Sequence, residues 1–129
     1  MRVNRIDHFN LRTRQLEETC SFYERMRQLR RGRAAGMDQA RNAWMYDEQN
    51  NPIIHINMPA DDETELPGGN TGRLHHVALD CQGYDEMMKR IADLGVYHET
   101  NFIDEIGLRQ VFLYDPNGVR LELNFQAGA

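Results

Sequence analysis

Four side chains with metal-ligating chemistry stand at matched steps of this sequence: His8 in "IDHFNL" (6–11), His76 in "LHHVAL" (74–79), His55 in "NNPIIHIN" (50–57) and Glu122 in "RLELNF" (120–125). Imidazole nitrogen with carboxylate oxygen suits Fe, Mn, Co, Ni or Zn, and two histidines with one carboxylate make an open metal triad. Any one of these histidines alone reads as a satisfied strand residue. Taken together, they favour a single divalent-metal site of His8, His55, His76 and Glu122, with His55 as fourth ligand or as acid–base group. No compact HExxH-type signature brings them together, so the fold has to do so.

The positioning elements can be read from an internal repeat. With a shift of 68 positions His8 falls on His76 and Leu11 on Leu79, and "RNAWMYD" (41–47) falls on "RQVFLYD" (109–115). Past the following turn the register moves by one, so that His55 meets Glu122 and Asn57 meets Asn124, as an ordinary change of turn length would allow. The chain thus divides into modules 1–58 and 74–129 joined by a linker, 59–73. Leu16, Cys20, Tyr23 and Met26 form one helical face in the first module. Tyr84, Met87, Met88, Ile91 and Leu94 do so in the second, with Gly95 as the stop. Extended segments at about 96–103, 108–114 and 119–125 follow, with "DPNG" (115–118) as a turn. The predicted fold class is α+β: two βαβββ modules whose sheets curve around a central cleft.

The strand period of two separates the faces. Ile6, His8 and Asn10 lie opposite Phe9 and Leu11; Ile53, His55 and Asn57 lie opposite Ile54 and Ile56. Arg120, Glu122 and Asn124 lie opposite Leu121, Leu123 and Phe125. The aliphatic faces can pack under a helix, and the polar faces, if opposed, bring three imidazoles and a carboxylate together. By the same alternation His75 points away from His76 and falls outside the site, and His98, without a repeat partner, reads as surface.

Other residues bear on a substrate. Arg41 and Arg109 are repeat equivalents near the expected cleft and can hold an anion. Trp44 and Phe112, with Asn124, are candidates for the substrate wall, although Trp44, Phe112, Tyr46 and Tyr114 read equally as core aromatics while strand direction is open. "RMRQLRRGR" (25–33) reads first as a solvated helix end and second as an anion grip. The acid- and glycine-rich stretch 59–73 reads as linker first and lid second.

Composition limits the partners. A net charge of −5 disfavours nucleic acid, no apolar run reaches membrane-span length, and the start lacks a secretory signal. Two cysteines without CxxC spacing suit a reduced, cytoplasmic chain. A small molecule is the expected partner.

With "SFYERM" (21–26) in the first helix and "YDPNGVRLEL" (114–123) near the end, the chain resembles the vicinal oxygen chelate superfamily, the glyoxalase / bleomycin resistance / extradiol dioxygenase group, over essentially its whole length. The resemblance implies metal positions at the first and last strand of each module, here His8, His55, His76 and Glu122. It also implies a homodimer in which one site can draw ligands from two chains. His8, His76 and Glu122 match the commonest triad of that group, and His55 occupies the slot of a glutamate in many glyoxalase I enzymes. Four protein ligands leave two positions for adjacent oxygens of a substrate, which fits lyase or isomerase chemistry with His55 and Glu122 as the catalytic pair. Three ligands would admit Fe(II) ring-cleaving dioxygenase chemistry. Against that, "GLRQVFLYDPNGVRLE" (107–122) carries Arg109 near the expected histidine and Phe112 near the expected tyrosine. A metal-free drug-binding protein is the non-enzymatic alternative. The preferred expectation is a metal-dependent lyase or isomerase acting on vicinal oxygens of a small organic substrate.

Overall fold

The repeat in the sequence is a repeat of structure. The computed structural model describes residues 1–63 and 71–127, in two units, Met1–Gly68 and Gly69–Ala129. The first contains β1 (Phe9–Arg12), α1 (Leu16–Arg27), β2 (Arg30–Gly32), β3 (Asn42–Tyr46) and β4 (Pro52–Asn57). The second contains β5 (Val77–Cys81), α2 (Tyr84–Leu94), β6 (Glu99–Ile103), β7 (Leu108–Tyr114) and β8 (Arg120–Gln126). Each is a βαβββ module with one four-stranded mixed sheet, in orders β1-β4-β3-β2 and β5-β8-β7-β6. The first strand of each module pairs in parallel with the last, and the other pairings are antiparallel. A chain returns parallel to its own start only through a long crossover, and α1 or α2 begins that return here.

The helices form where the apolar spacing is helical. Leu16, Cys20, Tyr23 and Met26 are all buried, the predicted stripe of α1, and the chain leaves the helix through Gln28 in the left-handed region. α2 has the predicted bounds and ends at Gly95, whose φ of 63° suits a residue without Cβ. Of its predicted stripe, Met87 and Ile91 are buried, whereas Leu94 is 45% exposed, because the helix ends there before a further turn can cover it. Beneath α1 the sheet presents Ala43, Met45, Ile54 and Ile56, all buried; in the second module Val111, Leu113, Leu121, Leu123 and Phe125 form the buried face. Each fully buried Ile, Leu or Met contributes about 1.5–3 kcal/mol.

Three details depart from the sequence reading. Strand β6 starts at Glu99, so residues 96–98 are a connection, with the His98 ring half-buried and held on the Val96 carbonyl at 3.1 Å. The shift of register by one is not a change of turn length, since five residues separate Tyr46 from Pro52 and Tyr114 from Arg120 alike. Met45 pairs Ile54 while Tyr46 pairs Pro52, which leaves Ile53 as the extra residue of a bulge. Asp47 and Asp115, the shared aspartates of the repeat, build the two turns. Asp115 Oδ1 accepts from the amides of Asn117 (2.8 Å) and Val119 (2.9 Å), and Asp47 Oδ1 accepts from those of Gln49 (3.0 Å) and Asn51 (2.8 Å).

The expected linker begins as part of the first unit: Arg12 pairs Glu63 at 3.1 Å, Arg14 donates to the Glu63 carbonyl, and Arg41 pairs Asp61 at 3.2 Å. Positions 64–70 of it, on which the linker and lid expectations mainly fall, lie outside the described residues. Among the described residues no helix is long and apolar enough to cross a membrane.

Candidate functional site

His8 and His76 each stand one residue before the first strand of their module, and each has Nδ1 engaged by the residue preceding it. His8 Nδ1 meets Asp7 Oδ2 at 2.7 Å, and His76 Nδ1 meets His75 Nδ1 at 2.9 Å. A histidine held at Nδ1 by a neighbour presents Nε2 as its free ligand atom, the usual arrangement of metal-binding imidazoles. His76 Nε2 faces Glu122 Oε1 at 3.7 Å, and the Glu122 side chain is only 15% exposed. Two donors each about 2.1 Å from one metal ion stand about 3 Å apart at a right angle. The pair therefore fits a shared cation after a small closing movement.

Neither orienting neighbour was picked out from sequence. Strand alternation sets His75 apart from His76, but β5 begins only at Val77, so alternation does not govern residue 75. The His75 ring instead packs edge-on against His76, with centroids 5.2 Å apart, and meets the Arg120 guanidinium. The signal available was two equivalent pairs, Asp7–His8 and His75–His76, each with a group able to bond an imidazole.

Glu122 is fixed by a chain of side-chain amides. Asn124 Nδ2 donates to Glu122 Oε2 (2.9 Å), Gln110 Nε2 donates to Asn124 Oδ1 (3.1 Å), and Asn101 Nδ2 donates to Gln110 Oε1 (2.9 Å). A carboxylate only accepts, so Asn124 must turn its NH2 toward Glu122, and this orders every amide behind it. Cross-strand register delivers the partners: Gln110 lies opposite Asn124, and Asn101 opposite Gln110. Gln110, 8% exposed, was not singled out from sequence, although it sits two residues before Phe112 on the same face.

In the first module, β3 sets Trp44 opposite His55 and Asn42 opposite Asn57. The His55 ring stacks on Trp44 (4.6 Å, 11°), and His8 meets the same indole edge-on at 4.9 Å. His55 Nε2 donates to Asn42 Oδ1 at 3.1 Å, which leaves Nδ1 as its acceptor atom. Burial pushes His55 below its ordinary value of 6.5, and the neighbouring His8 acts in the same direction. Asn10 Nδ2 bonds the His55 carbonyl (3.0 Å) and Asn57 Oδ1 (3.2 Å).

Strand direction, open in the sequence, is settled for the aromatics. Trp44, Tyr46, Phe112 and Tyr114 alternate with the buried Ala43, Met45, Val111 and Leu113, so they lie on the polar faces and are not core. Arg41 and Arg109 are not brought to those faces. Arg109 alternates with Gln110 and Phe112 and lies over the Tyr84 ring of α2 at 4.9 Å, on the helix side. Arg41, in step with Ala43, binds Asp61 and the Pro59 carbonyl. Within the arginine-rich stretch, Arg31 makes a two-pronged pair with Glu17 (2.7 and 3.0 Å), and Arg30 covers the Tyr46 ring at 4.6 Å.

Among the described residues no three histidine, cysteine or carboxylate side chains stand together as a ready-made metal site. The four ligand candidates divide two and two between the units, His8 with His55 and His76 with Glu122.

A family model described as the Glyoxalase/Bleomycin resistance protein/Dioxygenase superfamily matches residues 5–123, all but the ends of the chain. The chain belongs to this superfamily. No curated protein matches it. Among solved structures, a glyoxylase/bleomycin resistance protein/dioxygenase domain from Frankia sp. is similar at 16% identity and a TM-score of 0.74, over 99% of this chain and 96% of that one. The fosfomycin resistance protein FosX from Listeria monocytogenes is similar at 19% identity and a TM-score of 0.70, over 99% and 94%. A mutant of that FosX, solved with Mn(II) and 1S,2S-dihydroxypropylphosphonic acid, is similar at 19% identity and a TM-score of 0.66, over 99% and 93%. At these identities the likeness is one of fold: the paired βαβββ modules are those of the glyoxalase superfamily.

Proposed function

We propose that the protein is a divalent-metal-dependent enzyme that acts on adjacent oxygens of a small organic substrate, with lyase or isomerase chemistry. His8, His76 and Glu122 are the ligands and His55 is the acid–base group. The observation that carries this reading is the His76–Glu122 pair: imidazole Nε2 and carboxylate Oε1 face each other while the remaining atom of each is occupied, Nδ1 by His75 and Oε2 by Asn124. The matching Asp7–His8 contact prepares a second imidazole in the same way. The FosX structure with Mn(II) and a dihydroxy phosphonate supports the view that this fold can hold a divalent ion and a vicinal-oxygen ligand together.

A bound divalent ion supplies Lewis-acid polarisation of the two oxygens. His55, stacked on Trp44 and donating Nε2–H to Asn42, keeps Nδ1 as a lone pair that can take a proton from the substrate and return it. Asn42 fixes that tautomer, and the amide chain behind Glu122 holds its carboxylate oriented. Trp44 and Phe112 offer apolar surface on the polar faces.

Metal content by mass spectrometry, on protein purified without chelators, tests the reading. Near-stoichiometric divalent metal is expected in the wild type and in His55→Ala, with loss in His76→Ala and in Glu122→Ala. Full retention by His76→Ala, or no metal in the wild type after reconstitution, overturns it, and the second result points to a metal-free ligand-binding protein. Ring-cleaving dioxygenase chemistry is a second reading: with His55 held on Asn42 and kept as the acid–base group, the same three ligands would leave three metal positions for a catecholate and dioxygen. Iron as the retained metal, with catechol-dependent oxygen consumption, would select it.

A further inference from the structure

The structure points to an anion grip built around Arg120, and we propose that it binds an anionic group of the substrate: a carboxylate, phosphonate or phosphate. Arg120 occupies the polar face of β8, two residues before Glu122, where strand geometry separates their Cα atoms by about 6.5–7 Å. Its guanidinium lies over the Phe112 ring at 4.8 Å. Nη1 meets the His75 ring nitrogens, Nδ1 at 3.3 Å and Nε2 at 3.5 Å. Stacking uses the face of a guanidinium and leaves the N–H edge, which is the part that matches an oxyanion. Among the described residues no carboxylate pairs with Arg120, whereas Arg12, Arg31, Arg41 and Arg90 each have one. Phe112 and His75 thus hold the planar cation by its face and by Nη1, leaving the Nε and Nη2 donors for an anion, beside the carboxylate proposed to hold the metal.

The chemical consequence is a substrate whose anionic group lies close to its chelated oxygens. A neutral diol or catechol would leave Arg120 without a partner, while a small hydroxylated or keto acid, or its phosphonate counterpart, would satisfy both. Assigning the anion to the substrate rests on the reading of His76 and Glu122 as metal ligands; the grip itself does not.

Methylphosphonate and acetate serve as probes, titrated into metal-free and Zn(II)-loaded protein while the arginine Nε–H resonances are followed by NMR. Zinc affinity is measured separately by calorimetry. The Arg120 Nε–H is expected to move with one or both probes, and Arg120→Gln is expected to weaken their binding at least tenfold in metal-free and Zn(II)-loaded protein alike. Arg120→Lys, which keeps the charge without the fork, should fall between. Equal probe binding by wild type and Arg120→Gln, or no movement of the Arg120 resonance, overturns the grip. Failure to bind zinc, manganese, cobalt, nickel and iron alike while the Arg120 shift persists removes the metal reading and leaves the grip standing.

Discussion

Replacement of Gln110 by leucine should lower stability by about 1–2 kcal/mol, an estimate that follows from how well each partner can be rescued by water. Gln110 gives two hydrogen bonds, one from Asn101 at 2.9 Å and one to Asn124 at 3.1 Å. Leucine has similar volume and leaves no cavity, so the loss is one of polar satisfaction. Asn101 is exposed and recovers a water partner at little cost. Asn124 is half-buried and already committed to Glu122, so its Oδ1 bears most of the penalty. With a urea m-value of about 2 kcal/mol/M, the midpoint should fall by roughly 0.5–1 M. Asn101→Ala, which removes only the exposed end of the chain, should shift it by a few tenths of that amount. Urea melts of the three proteins read the comparison directly. An unchanged midpoint for Gln110→Leu, or an equal loss for Asn101→Ala, would refute the argument that burial of the middle amide sets the energy.

Two more outcomes are expected. A Cβ added at Gly32 would stand 2.3 Å from Tyr46 Cε2 and 2.8 Å from Cδ2. Gly32→Ala must therefore displace that ring and its covering Arg30, with a loss of about 1–3 kcal/mol in a denaturation midpoint, and no loss would show that the ring moves freely. In an NMR titration His55 should lose its proton below pH 6.5, and in His8→Ala its midpoint should rise without reaching that value, since burial is the larger cause. A depressed histidine binds fewer protons folded than unfolded, so its contribution to stability is present above pH 6.5 and is lost as pH falls through the folded value. A midpoint at or above 6.5 in the wild type would contradict the burial argument.

The parts of the molecule legible in the sequence were those set by local periodicity. Helix α2 runs from Tyr84 to Leu94 and stops at Gly95 because a 3.6-residue stripe and a left-handed glycine are written side by side. The opposition of His55 to Ile54 and Ile56, and of Glu122 to Leu121 and Leu123, follows from the strand period of two, and burial alternates accordingly. The one-residue slip between the repeats was visible too, although its location as a bulge at Ile53 was not, since a bulge is defined by what lies across the ladder.

Cross-strand register and the ends of strands decided the rest. That Trp44 and Phe112 share faces with the candidate ligands while Arg109 lies over Tyr84 depends on where β3 and β7 enter the ladder. His75 turned toward His76 because the chain is not yet a strand there, and alternation holds only within one. The amide chain from Asn101 through Gln110 and Asn124 to Glu122 joins three strands, so no window of neighbouring residues contains it. The sequence by itself determined the two modules, the helix spans and the side of each strand on which a side chain stands, because each is settled within a few bonds of backbone. Only the tertiary structure decided which side chains touch, because contact between strands depends on register across tens of residues.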